Sequence, residues 1–374
     1  MYERKLKQQL LENLQPGNVT ALFGARRTGK TTLMQQIIAT LDNKRVLVLN
    51  GEDFDTSRIM ASLRTEYYKN LTAGYDFLFI DETQNIPDIG KALKLMVDTQ
   101  PHLAVFATGS SSFDLKNQIG EPLTGRSRFY SLFPLSFSEL NLDFLSSIKA
   151  IPQLLVYGTY PQVVVEDRLK EKRHLLENIR NGYLLKDVLQ LDNVKDSYFI
   201  MNLLRQLAFQ TGHDSSYSEL ASNLGTTVKT IKRYLDLLEK AFVIFSLYGF
   251  SRNLRKEFNK SPRFYFWDNG IRNALISNFN DLDQRDDAGK LWENFCISER
   301  IKRQRYNETF SNFWFWRTYD QQEIDLIEEV DNQLYAWEFK WGSKPSRVPK
   351  AFAENYSTAR YETINTSNFS SFLK

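Results

Sequence analysis

Gly24-Ala25-Arg26-Arg27-Thr28-Gly29-Lys30-Thr31 fills every fixed position of the phosphate-binding pattern G-x-x-x-x-G-K-[ST]. The five residues before it, Val19-Thr20-Ala21-Leu22-Phe23, read as a short buried strand, and Thr31 to Ile38 reads as an amphipathic helix. In that strand, loop, helix order the two glycines let the backbone curl until its N–H groups face a phosphate chain, and the helix N-terminus adds its positive dipole end. Lys30 then reaches the β- and γ-phosphates, and the Thr31 hydroxyl ligates Mg²⁺. Arg27, Thr28 and Thr32 line the same loop, so they join Gly24, Gly29, Lys30 and Thr31 as expected contacts to ATP.

The rest of the chain is too long for a single core: 374 residues point to two to four domains. Lys and Arg number 48 against 45 Asp and Glu, a net charge of +3, so any nucleic-acid contact must come from a local patch. One cysteine, Cys296, excludes an internal disulfide and fits a reducing cytoplasmic setting, and three histidines argue against a histidine-rich metal site. The charged start, Met1 to Lys7, leads into no apolar signal segment, and no run approaches membrane-spanning length.

Two further strands carry acids or hydroxyls at their ends. Phe77-Leu78-Phe79-Ile80 runs into Asp81 and Glu82, after an earlier strand at Arg45 to Asn50. Ligands gather at the carboxyl ends of buried parallel strands, where Asp81 would hold the Mg²⁺ shell and Glu82 would orient the attacking water. Leu103 to Thr108 runs into Gly109-Ser110-Ser111-Ser112. Thr108 or Ser110 senses the γ-phosphate there, or serves only as a helix cap. Leu123-Thr124-Gly125-Arg126-Ser127-Arg128 precedes a last apolar strand, and an arginine at that place either stabilises transition-state charge, in cis or across a subunit interface, or is a surface residue.

These segments, GARRTGKTTL, FLFIDETQNIP, FATGSSS, LTGR and the FPLSFSEL stretch at Phe133 to Leu140, resemble the AAA+ ATPases of bacteria and archaea that carry a nuclease-like domain of unknown function at the C-terminus. The resemblance implies a five-stranded parallel sheet, with Ser110 or Thr108 as sensor 1 and Arg126 as the arginine finger, Arg128 being the near alternative. It also implies ring-like homo-oligomers as the usual assembly.

Downstream, Tyr157-Gly158-Thr159-Tyr160-Pro161 and a polar helix from Arg168 to about Gln190 have the character of an ATPase lid. Ser216 with Glu219 reads as a capping box, the first helix stops at Gly225, and a second begins after a short turn near Thr226. That is a helix-turn-helix pattern with Leu220, Leu224, Val228, Ile231, Leu235 and Leu238 as shared core and Lys229, Lys232 and Arg233 outward. A strand at Ala241 to Phe245 makes a winged helix the expectation, in contact with DNA or packed on the ATPase.

The last third reads as strands: Phe313 to Arg317, Glu323 to Ile327, and Leu334 to Lys340 after a turn around Asp331 and Asn332. A turn centred there places Asp325 opposite Glu338 and Glu323 opposite Lys340. Like charges directly opposite destabilise a sheet, and a divalent cation relieves the conflict, so the two carboxylates with Lys340 suggest a Mg²⁺ site for phosphodiester chemistry. Asp…Glu-x-Lys at a hairpin resembles the PD-(D/E)xK nucleases, and the Lys290 to Phe295 segment resembles their first core helix, which adds Glu293 as a ligand. The expected architecture is therefore α/β: an AAA+ P-loop ATPase core at 1–140 with a parallel sheet, a helical lid at 141–195, a winged helix at 196–260 and a restriction-endonuclease-like domain at 261–374. The expected function is ATP hydrolysis in the service of DNA, against two rivals: a scaffold ATPase whose inactive terminal domain binds a partner, and a transcriptional regulator using the winged helix alone.

Overall fold

A computed structural model describes residues 2–110, 123–184, 197–250 and 261–374. Ser111, Ser112, the far end of the expected lid helix beyond 184 and the segment after Phe250 lie outside the described residues. The chain divides into two compact units, one built on residues up to Phe133 together with 240–242, the other on most of the remainder.

The first unit is a parallel α/β sheet. Its strands are β1 (Val19–Phe23), β2 (Val46–Asn50), β3 (Phe77–Asp81), β4 (Ala104–Gly109) and β5 (Ser127–Ser131), in the spatial order β2-β3-β4-β1-β5. Every neighbouring pair is parallel. β1 and β4 are buried throughout, as continuous apolar runs in a sheet covered on both faces should be, whereas the edge strand β2 leaves Val48 half exposed. The chain leaves β1 for the far edge, returns through β3 and β4, and ends on the other side of β1 at β5. Strand order therefore reverses beside β1, and open α/β sheets bind ligands at such a point, outside the carboxyl ends. The registers Phe23↔Gly109 and Asn50↔Asp81 bring the ends of β1 to β4 to one edge.

The second unit holds a six-stranded mixed sheet of β6 (Ile244–Gly249), β7 (Arg263–Phe266), β8 (Ser311–Arg317), β9 (Glu323–Val330), β10 (Gln333–Phe339) and β11 (Arg360–Ile364), in the order β11-β10-β9-β8-β6-β7. β6 pairs with β7 and also, in parallel, with β8. One sheet thus spans the boundary expected near residue 260, because two strands far apart in sequence share a ladder that no local pattern reveals. The helix Ala288–Tyr306 is buried around most of its circumference, and inside it Lys302 pairs with Glu299 and Arg300 with the buried Glu328 of β9.

The β9–β10 hairpin turns on Asp331 and Asn332, both with left-handed φ (49° and 64°), the conformation a two-residue primed turn requires. The pairs Val330↔Gln333 through Leu326↔Trp337 match the register expected from that turn.

On the helices Tyr217–Asn223 and Val228–Lys240, the expected core residues Leu220, Ile231, Leu235 and Leu238 are buried, while Leu224 in the turn between them is only half-buried. Val228 departs from the expected core: it opens the second helix directly after the turn and is 39% exposed. Ser216 Oγ accepts from the Glu219 N–H at 3.4 Å, and Lys229, Lys232 and Arg233 face solvent. The polar lid segment forms a helix over Leu169–Asn178 that passes into a wider π-type turn at Ile179–Leu184. No helix among the described residues is long and apolar enough to cross a membrane.

Candidate functional site

The loop after β1 is built by close backbone approach. A Cβ on Gly24 would stand 2.2 Å from the Leu132 carbonyl oxygen, and Gly29 holds φ at +98°, so neither position takes a side chain without displacement. Arg27 also adopts a left-handed φ of 63°. The Thr28 hydroxyl donates to the Ala25 carbonyl at 2.8 Å, closing the loop on itself. Lys30, only 5% exposed, turns its ammonium into the loop and donates to the Gly24 and Ala25 carbonyls at 2.8 and 3.0 Å. Thr32 sits exposed on the first turn of the helix Lys30–Ile38.

Fifty residues further on, the end of β3 meets this loop. The Thr31 hydroxyl donates to Asp81 Oδ2 at 2.7 Å, and the Thr108 hydroxyl donates to Asp81 Oδ1. A threonine hydroxyl beside a carboxylate is a hard oxygen pair of the kind Mg²⁺ takes, so the residues present fit that ion. The Glu82 N–H lies within reach of both Asp81 Oδ1 (3.1 Å) and Thr108 Oγ1 (3.3 Å). Glu82 itself holds φ 53° and ψ 45°, a left-handed conformation that is strained for a residue with a Cβ. Of the two hydroxyls expected at the end of β4, Thr108 is the one that touches Asp81; Ser110 is buried and gives its N–H to Gln84.

Arg126 lies elsewhere. β5 runs parallel to β1 with Val19 opposite Ser127, and the Arg126 carbonyl accepts from the Val19 N–H, so this arginine stands at the start of β1 while the phosphate loop follows its end. The strand puts about 13 Å between the two ends. Arg126 is ion-paired with Asp98, and Arg128 is exposed.

Two residues of this site carry no sequence signal. Arg4, 5% exposed, donates to the Thr28 carbonyl at 2.6 Å and to the Phe133 carbonyl at 2.7 Å, bracing the phosphate loop from outside. In the sequence it is one of several charges in a helical start. Gln84 donates to Glu82 Oε2, and its spacing from the acid pair marks nothing by itself.

The second unit gathers carboxylates. The register that pairs Leu326 with Trp337 makes Asp325 and Glu338 the next opposed pair, and both are 6% exposed. The Asp325 carboxyl is pushed well above the usual range by burial, and further by the charges of Glu293 and Glu338; it accepts the Phe339 N–H at 2.8 Å. Burial also raises Glu338, against the pull of Lys340, whose ammonium lies 2.7 Å from Glu338 Oε1. Burial works against the Lys340 charge, yet the hydrogen bond and charge of Glu338 lift it above its ordinary value. The other oxygen, Glu338 Oε2, is buried with no hydrogen-bond partner.

Two expected partnerships differ. Lys340, just past β10, pairs with Glu338, while Glu323 takes Arg263 at 2.8 Å, the guanidinium of this β7 residue lying over the Phe315 ring of β8. Glu293 accepts from the Tyr265 hydroxyl at 2.9 Å and from Lys290 at 3.0 Å. As folded, no three of His, Cys, Asp or Glu among the described residues converge at metal-binding distance, since Glu293, Asp325 and Glu338 are each turned toward a protein donor. The unpartnered, buried Glu338 oxygen beside a second carboxylate is nonetheless the donor chemistry a divalent cation takes.

Comparison with known proteins sorts the two units. Residues 16–141 match the family described as an AAA domain, while 148–282 and 288–368 match two families described only as domains of unknown function. The chain is 27% identical over 333 residues to an uncharacterized protein of Mycobacterium bovis, covering 88% of this chain and 71% of that one. An uncharacterized protein of Methanocaldococcus jannaschii is 25% identical over 373 residues, covering 94% and 81%. Among solved structures, the FIGL-1 AAA domain in complex with ADP aligns at a TM-score of 0.27 and 14% identity, over 50% of this chain and 70% of that one. A signal transduction ATPase from Pyrococcus horikoshii aligns at 0.26 and 11% identity, over 82% of this chain and about half (48%) of its own length. Likeness at that level adds nothing to the assignment. The family match and the phosphate loop together make residues 16–141 an AAA-type ATPase domain, followed by two domains whose families have no assigned function.

Proposed function

We propose that this protein binds ATP with Mg²⁺ at the loop Gly24 to Thr32 and hydrolyses it. The observation that carries the reading is the meeting of Thr31 and Asp81 at 2.7 Å beside the buried Lys30 ammonium. The loop N–H groups, Lys30, Arg27, Thr28 and Thr32 hold the phosphates. Thr31 and Asp81 hold Mg²⁺, which supplies charge neutralisation on the phosphate oxygens when bound. Glu82 orients the attacking water, and Thr108 or Ser110 reads the γ-phosphate from the end of β4. Arg126, at the opposite end of β1 from its own phosphate loop, serves the nucleotide of a second copy in a homo-oligomer. The test is Lys30→Ala in the full chain: turnover falls to background with the circular dichroism spectrum unchanged, and retained hydrolysis refutes the assignment. Mixing Lys30→Ala with Arg126→Ala tests the arginine, since each variant lacks what the other keeps and partial recovery of turnover is expected.

The second unit supports a reading on DNA. Lys229, Lys232 and Arg233 face outward from the second helix of a helix-turn-helix, as a winged helix in a DNA groove would present them. The Asp325, Glu338 and Lys340 set, with the unpartnered Glu338 oxygen, favours a metal-dependent nuclease-like site in which Glu293 is a further ligand. DNA incubated with Mn²⁺ is cleaved by the wild type and spared by Asp325→Ala. Absence of cleavage by both, with and without ATP, leaves the rival in place: a regulatory ATPase whose terminal domain binds a partner.

A further inference from the structure

Gln84 sits on the short 3₁₀ turn Thr83–Asn85 directly after the acid pair, and its side-chain amide makes two bonds of opposite sense. Its Nε2 donates to Glu82 Oε2, and its Oε1 accepts the Ser110 N–H at 3.2 Å. A carboxylate only accepts and a backbone N–H only donates, so the two partners permit one orientation of the amide and no flip. The turn itself is anchored: Thr83 donates to the Thr108 carbonyl at 2.7 Å, and the Ser57 hydroxyl donates to the Asn85 carbonyl at 3.2 Å. Gln84 is therefore a short, fixed link between the Glu82 carboxylate and the backbone at the end of β4.

The link matters because the bonds that hold the Glu82 backbone, its N–H to Asp81 and Thr108 and its carbonyl accepting from Asn85, leave the carboxylate itself unfixed. Its left-handed φ is strained, and a strained residue keeps its place only when its surroundings over-determine it. Around the carboxylate, the Gln84 amide supplies that determination. We propose that Gln84 is a positioning residue for Glu82, tying the carboxylate to the Ser110 backbone so that a displacement of the β4 end on meeting phosphate moves the water-orienting group with it. This rests on the ATP-hydrolysing reading above.

The experiment uses the full chain and measures ATP turnover, KM and the affinity for a fluorescent ADP analogue for wild type, Gln84→Ala, Gln84→Glu and Gln84→Asn. For Gln84→Ala, kcat falls on the order of tenfold to a hundredfold while KM and ADP affinity stay within about twofold, the pattern of a misplaced catalytic group rather than a lost binding site. Gln84→Glu keeps the size but at neutral pH has no proton to donate to Glu82. Its turnover recovers relative to wild type as pH is lowered and the new carboxyl regains a proton, a change of profile that a packing role does not produce. Gln84→Asn, which keeps both functions on a shorter arm, serves if the alanine variant melts early. Wild-type kcat in Gln84→Ala overturns the proposal, and so does a faster rate, which would mean that Gln84 withholds Glu82. A wild type without turnover, or turnover that survives Lys30→Ala, sinks the ATPase reading itself and is told apart by that control.

Discussion

Gly24→Ala is the sharpest perturbation of the phosphate loop, because the added methyl has nowhere to go. Its position is 2.2 Å from the Leu132 carbonyl oxygen and 3.1 Å from the carbonyl carbon, and that backbone is itself fixed: the Leu132 N–H donates to the Phe23 carbonyl at 2.6 Å, one residue before the glycine. Atoms of this kind repel steeply inside van der Waals contact, so either the loop or the chain beyond β5 must retreat by about 1 Å. The yielding element is the loop, since β5 is held to β1 along five paired residues. A shift of that size misplaces the Lys30 ammonium and the loop N–H groups, and misplacements near 1 Å reduce turnover on the order of a hundredfold. The assay is steady-state ATP hydrolysis with parallel binding of a fluorescent ATP analogue. Binding weakens along with turnover, because the loop makes the ground-state contacts as well. Gly289→Ala is the matched control: it adds the same methyl to a helical position with nothing within 4 Å, and leaves both quantities alone. Wild-type affinity and turnover in Gly24→Ala would refute the claim that this backbone contact shapes the site.

Arg4→Met keeps the stem and removes two charge-assisted bonds of 2.6 and 2.7 Å, each of the class that contributes about 1.5–3 kcal/mol, so ATP affinity is expected to fall about tenfold with the spectrum intact; unchanged affinity contradicts the bracing role. Asp325→Asn in metal-free buffer removes one of two opposed buried acids, and stability rises by about 1 kcal/mol, or roughly 2–4 °C in Tm, while Mn²⁺ raises the Tm of the wild type alone; a fall in Tm without metal speaks against the pair. Asp287 is held at about 2 despite burial, by Arg285 and Arg272, so its pKa lies below the unfolded value and its stabilisation is present above about pH 4 and lost as pH falls toward 2. Asp287→Asn accordingly lowers stability at pH 7 by about 2 kcal/mol and makes little difference near pH 2, as read from denaturant unfolding; an equal effect at both pH values contradicts the charge pairing.

The first unit was legible because its signals are local. A phosphate loop announces itself by spacing, and buried parallel strands announce themselves as unbroken apolar runs, so Gly24 to Thr31 and Phe77 to Asp81 fall where their sequence suggests. The β9–β10 register was legible for a similar reason: a two-residue turn at Asp331 and Asn332 dictates every pair that follows it. Long-range partners were not. Lys340 and Glu323 lie opposite one another by the hairpin rule, but a charged side chain goes to the nearest counter-charge in space, and Arg263 arrives from β7, about sixty residues away. The union of β6 with β8 was hidden in the same way, as was the reach of Arg4 to Phe133. Val228 has the spacing of a core residue, and that spacing does not show its exposure where the helix opens.

In the proposed role of Glu82 as the group that orients the attacking water, its left-handed backbone sets turnover and folding against each other at a single codon. Glycine or asparagine would sit in that conformation with less strain, so either should yield a sturdier protein that hydrolyses nothing. A glutamate held in a conformation that favours glycine or asparagine is the cost this proposed role carries in this chain.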